Sequence, residues 1–120
     1  MDAKELRIGN TLNYTTSEND VVHTTIDWQN LKWISEDFEG FNLVHSPIPL
    51  TEEWLVNFGF EKNNFTLLYE LKINCFTISF EDQEPFAWYV ESVGIDIEYV
   101  HELQNLHFGL TGEELTIQQQ

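Results

Sequence analysis

Residues Ser46–Lys62, SPIPLTEEWLVNFGFEK, carry the densest set of local signals in the chain. Pro47 and Pro49 fix their own backbone and push the residues before them to extended conformations, so a helix starts only beyond them. Thr51 is a residue type that caps a helix N-terminus, and Glu52 and Glu53 in the first turn complement the positive end of the helix dipole. Trp54, Leu55 and Phe58 recur at three- and four-residue spacing, an apolar stripe. Gly59 suits the left-handed position just past the helix, where it brings Phe60 against Leu55 in a Schellman closure. Each residue has a local structural role, so the stretch reads as scaffold with Trp54 in the core.

Towards the N-terminus, Leu6, Ile8, Leu12 and Tyr14 alternate with Arg7, Gly9, Thr11 and Asn13, the period of a half-buried strand. Thr15–Asp20 is a polar turn and Val21–Asp27 a second, β-branched strand, which Trp28–Ile34 extends or pairs with. Ser35–Gly40 reads as an acidic loop and Phe41–His45 as a short strand. Towards the C-terminus, Phe65–Leu71, Ile73–Phe80 and Phe86–Val90 are strand-like. In the middle one Phe76, Ile78 and Phe80 oppose Cys75, Thr77 and Ser79. Glu81–Pro85 is the turn into the last of them, and Ser92–Gly94 ends it.

From Ile95 or Ile97 onward the pattern becomes helical. Tyr99, Leu103, Leu106 and Leu110 share one face, with Val100 and His107 on its flank and Gly112 as the stop. Residues 116–120 read as a frayed tail. The sum is α+β: a single domain over residues 1–120, with an antiparallel sheet of about five to six strands and two helices packed on it.

Composition narrows the function. Of 120 residues, 42% are hydrophobic and 14% aromatic, enough for an ordered core. Against 21 Asp+Glu stand 5 Lys+Arg, a net charge of −16. Such a surface repels nucleic-acid backbones and anionic membranes and attracts basic partners, so neither nucleic acid nor membrane is an expected ligand. Cys75 is the single cysteine, which leaves no disulfide framework. The opening MDAKELRIGN has no signal-peptide character and no run is long enough to span a bilayer, so a cytoplasmic location is expected.

No motif adds up to a reactive centre. Glu70-Leu71-Lys72 is the E-x-K spacing of many nuclease strands, but that chemistry needs a second carboxylate for a divalent cation and a basic channel for phosphate. With so few cations, a solvated salt pair at a strand edge is the plainer reading. Glu98-Tyr99-Val100-His101 is a lone E-x-x-H, where di-iron bundles need two plus further glutamates; it reads as a solvated helical ladder in which Glu98 faces Glu102. His101 and His107 point in different directions on a helix and share no zinc. His23 and His45 read as structural, and Cys75 as a small buried hydrophobe. No catalytic residue, metal or cofactor is expected, and the chain is not expected to be an enzyme.

Charge is the feature left over. A small domain needs a net charge of only about 2–8 for solubility, and the acids here peak at Glu36-Asp37-Glu39, Glu52-Glu53, Glu81-Asp82-Glu84 and Glu113-Glu114. Carboxylates held on a rigid fold imitate a nucleic-acid backbone and fit a basic groove, and an aromatic anchor among charges is the usual make-up of a tight interface. The expected partner-binding residues are Glu36, Asp37, Phe38, Glu39, Glu81, Asp82, Glu84 and Phe86. The alternative at either cluster is that the aromatic covers the core and the acids are merely solvated.

Three segments, KELRIGN (Lys4–Asn10), PIPLTEEWLVNFGFEK (Pro47–Lys62) and YVHELQNLHFGLTGEEL (Tyr99–Leu115), resemble small acidic proteins of Bacteroidota genomes, phages and mobile elements. Proteins of such elements include anti-CRISPR inhibitors, and the chain looks like one directed at the RNA-guided ribonuclease of type VI-B systems. The resemblance implies a non-enzymatic inhibitor of a basic, nucleic-acid-handling host effector. The other function it allows is an accessory module of the phage particle or replication machinery. It brings no catalytic residues with it.

Overall fold

A computed structural model describes residues 1–65, 68–73, 76–83, 87–90, 95–115 and 117, with backbone alone between 72 and 96. The chain is α+β, but its strands form two antiparallel sheets where the sequence suggested one. Backbone proximity groups it into two compact units. One holds Met1–Ile48 with Tyr99–Leu106, and the other holds Pro49–Glu98 with His107–Gln120.

In the first unit, β1 (Thr11–Thr15) and β2 (Val21–Thr25) form a hairpin, and β3 (His45–Ser46) pairs with the other edge of β1. The expected strand from Leu6 is cut short. A 3-10 turn occupies Ala3–Glu5, capped by the Asp2 side chain, and a tight turn at Arg7–Asn10 precedes the strand. There the Arg7 backbone N–H donates to Asn10 Oδ1 at 2.8 Å, and Gly9 takes a left-handed φ of 99°. Alternating hydrophobicity is blind to such side-chain-to-backbone bonds.

Two further readings are corrected by helix caps. Trp28–Glu36 is helix α1, not strand: Asp27 accepts from the Asn30 backbone while the Asn30 side chain accepts from the Asp27 N–H. This is a capping box with Asn in place of the usual Glu or Gln. The supposed acidic loop and short strand are the end of α1 and helix α2 (Phe38–Val44), because Asp37 closes the first helix and caps the second through Gly40 N–H at 3.1 Å. Leu6, Leu12, Ile26, Ile34 and Phe41 form the core of this unit, with Leu31 and Phe38 packed against it.

In the second unit the opening stretch folds as its sequence dictates. Helix α3 (Glu52–Asn57) starts at Thr51, whose hydroxyl accepts from Trp54 N–H. At its end Phe60 N–H donates to Leu55 carbonyl and Gly59 N–H to Val56 carbonyl, both at 3.0 Å, with Gly59 at φ 98°. That is the Schellman pair. Leu55, Phe58 and Phe60 are buried; Trp54 is half-buried with its ring 5.5 Å from Phe58. The sheet is a meander of β4 (Glu61–Lys62), β5 (Tyr69–Ile73), β6 (Phe76–Gln83), β7 (Ala87–Val90) and β8 (Ile95–Ile97). Glu81–Gln83 therefore continue β6 and do not belong to a turn. Cys75, Ser92–Gly94 and the tail apart from Ile117 lie outside the described residues.

The last helix, α4 (Val100–Thr111), begins later than the sequence suggested, since Ile95–Ile97 pairs with β7. Its buried residues are Val100, His101, Leu103, Gln104 and His107, while Leu106 is half-buried and Leu110 exposed. Two glycines near its end differ in kind. Gly109 is helical with open space around a would-be Cβ, whereas Gly112 sits at φ 73° past the last turn. Gly109→Ala is expected to stabilise the protein by about 1 kcal/mol and Gly112→Ala to destabilise it by about as much, read from urea unfolding midpoints.

Candidate functional site

The first acidic cluster is a corner between two helices. Glu36 ends α1, Asp37 caps both helices, and Glu39 stands in the first turn of α2. All three are exposed. The backbone N–H donated by Gly40 holds the Asp37 carboxylate, and a Cβ on Gly40 would collide with it. The charges are thus mounted on a rigid element and not on a loose loop. Phe38 is half-buried, stacks on Phe41 at 6.3 Å and packs against the core, so its ring serves the interior at least as much as the surface. The exposed apolar neighbour on this helix is Leu43, one turn beyond Glu39 and 84% exposed. Sequence reasoning passed over it, because it assigned Leu43 to a strand.

The second cluster is described in part. Glu81 and Asp82 lie on β6 opposite Tyr89 and Trp88 of β7. Glu84 and Phe86 lie outside the described residues. The two clusters belong to different units.

Two of the three segments singled out in the sequence, Lys4–Asn10 and the Tyr99–Leu106 part of the last one, meet each other within the first unit. Gln104 Oε1 accepts from Thr11 N–H at 2.8 Å and its amide donates to Thr11 Oγ1 at 3.1 Å. Asn10 donates to Asn105 Oδ1 at 2.9 Å, and Asn105 donates to the Glu5 carbonyl at 2.6 Å. Arg7 reaches the Gln104 carbonyl at 2.9 Å. His101, read from sequence as part of a solvated ladder, is wholly buried and donates from Nε2 to Glu5 at 3.1 Å. Glu102, set opposite Glu98 in that ladder, accepts from the Tyr99 N–H at the helix start. Asn10, His101 and Gln104 are thus buried because each finds a partner across this contact. No periodicity in the sequence could have revealed them.

Around β4 and β5 a cavity of about 430 Å³ is lined by Gly59, Glu61, Lys62, Asn63, Glu70 and Leu71. Glu61 is the direct cross-strand neighbour of Glu70, the carboxylate of the E-x-K triplet. Asn63 donates to Glu70 Oε1 at 3.0 Å, and the Lys62 ammonium lies 5.7 Å from the centre of the Tyr69 ring. Two like charges facing each other across a strand pair repel unless compensated. Among the described residues no group of three or more His, Cys, Asp or Glu is placed to hold a metal ion.

His45 sits among aromatic rings. Its ring stacks on Phe41 at 3.8 Å and 5°, with Tyr14 at 5.1 Å and Trp33 edge-on at 5.6 Å. Burial pushes its pKa below the ordinary histidine value, opposed by the bond from Nδ1 to the Phe41 carbonyl at 2.9 Å. His107 closes the end of α4 in the second unit by donating to the Glu113 carbonyl at 2.9 Å.

Comparison with protein-family profiles, with curated proteins and with solved structures finds no match.

Two expectations follow from this geometry. Gln104→Ala strips Thr11 N–H of its partner and is expected to cost about 1–3 kcal/mol in urea unfolding. For His45, the unfolded chain takes up a proton first as pH falls from 6.5, because the folded pKa is lowered. Stability conferred by neutral His45 is therefore complete above pH 6.5 and lost as pH drops towards the folded pKa. Thermal unfolding of wild type and His45→Phe across that window is expected to show a steeper acid-side loss in the wild type.

Proposed function

We propose that this chain is a non-enzymatic, acidic binding protein of a phage or mobile element. It acts as an anti-CRISPR-type inhibitor on a basic, nucleic-acid-handling effector such as an RNA-guided ribonuclease in the bacterial cytoplasm. The observation that carries the reading is a net charge of −16 combined with acids mounted on a fixed helix corner at Glu36, Asp37 and Glu39. Carboxylates fixed before the encounter occupy a groove shaped for phosphates without first being ordered. Long-range attraction from the whole field speeds the encounter.

Asp37 holds two helix ends, so its reversal would confuse binding with folding. The informative variant is the double reversal Glu36→Lys with Glu39→Lys. Against a purified type VI-B ribonuclease, by surface plasmon resonance, it is expected to slow association about tenfold while changing dissociation far less. Wild-type affinity is expected to fall steeply with added salt, as screening shortens to about 3 Å at 1 M. Unchanged association and salt-indifferent binding would leave the charge to solubility, as an accessory phage module requires.

A further inference from the structure

Helix α2 (Phe38–Val44) divides its side chains between two faces. Phe41 is buried and Phe38 packs against the core, while Glu39, Asn42 and Leu43 lie at i, i+3 and i+4 on the exposed face. At 84% exposed, Leu43 is left almost bare by its own chain. Helix formation does not require a leucine there, since glutamate, lysine or glutamine serve as well. A lone exposed leucine is ordinary; its surroundings set this one apart. Glu39 stands one turn before it on the same face, and Glu36 ends the preceding helix. Both carboxylates are exposed, and among the described residues neither has a hydrogen-bond or ion-pair partner. The exposed Lys32, one turn before Glu36, pairs with neither.

Exposed ion pairs contribute little by themselves and are screened by salt. Charges at the corner therefore speed an encounter without holding it. A bound state that lasts needs apolar surface taken out of water at its centre, ringed by polar contacts. Phe38 is half-buried and stacked on Phe41, which leaves Leu43 as the apolar side chain of the corner that stands in solvent. A side chain so exposed protrudes, and burying a protrusion takes a hollow on the other molecule. A second copy of the chain is a poor occupant, since each would bring a net charge of −16 to the contact. Carboxylates without partners call instead for lysine or arginine at the rim of that hollow.

We propose that Leu43 is the apolar anchor of the partner contact. It enters a hollow on the partner bordered by lysine or arginine side chains, which meet Glu36 and Glu39. This rests on the reading of the chain as a binder of basic partners. It adds the residue that holds the complex together and the feature of the partner that receives it.

The measurement is surface plasmon resonance against the purified type VI-B ribonuclease. Leu43→Ala is expected to speed dissociation about tenfold and to leave association within about twofold, the reverse of the double reversal at Glu36 and Glu39. Leu43→Met, which keeps the volume, is expected to restore wild-type dissociation. Phe65→Ala removes a side chain that is 98% exposed in the other unit and is expected to change neither rate. The urea unfolding midpoint of Leu43→Ala is expected to match that of the wild type, since so exposed a side chain supports little packing. Unchanged dissociation in Leu43→Ala, equal acceleration in Phe65→Ala, or a fallen midpoint overturns the anchor. In each case the charge reading stands if the double reversal still slows association. Salt-indifferent binding with unchanged association in the double reversal overturns the charge reading and, with it, the basic rim. Absence of binding by the wild type overturns both.

Discussion

In the first unit the structure depends on one side chain doing the job of a strand. The Gln104 carboxamide accepts the Thr11 backbone N–H and donates to the Thr11 hydroxyl, so the start of β1 is paired by a helix. Around it Asn10, Arg7 and Asn105 satisfy one another and the neighbouring backbone. A half-buried network of this kind favours one arrangement, because losing a partner strands a polar group at the cost of its desolvation. It also gives KELRIGN and the HELQN stretch of the last helix a structural explanation: each is the other's hydrogen-bonding complement.

That explanation separates scaffold from surface. Asn10, His101 and Gln104 of those segments are turned inward, and the second histidine-bearing contact, His45 among Phe41, Tyr14 and Trp33, is likewise internal. What faces outward is mostly negative charge, part of it fixed where helix caps place it. Asp37 shows how closely the two are joined: the carboxylate that ends one helix and starts the next is also part of the acidic corner. Such a surface repels its own kind.

The sequence by itself determined what local chemistry settles. Helix α3 could be read residue by residue, because prolines, a threonine cap, an i, i+3, i+4 stripe and a glycine stop all act within a few positions of one another. The hairpin strand at Val21 and the stop at Gly112 were legible for the same reason. The sign of the net charge also needed no fold. Local signals failed where a less common residue did a familiar job. Asn30 completes a capping box usually closed by Glu or Gln, and Asp37 caps two helices at once, so α1 and α2 passed for strand and loop.

Only the tertiary structure decided which face of α4 is buried, and that the strands divide between two sheets. Apolar spacing put Leu106 and Leu110 inward; the chain instead buries His101, Gln104 and His107. The physical reason is that burial of a polar side chain depends on a partner, and for His101 and Gln104 the partners lie 96 and 93 residues away. The order of the described strands is of the same kind: a strand's own residues say that it will form, but which strands it pairs with is set by what the rest of the chain brings beside it.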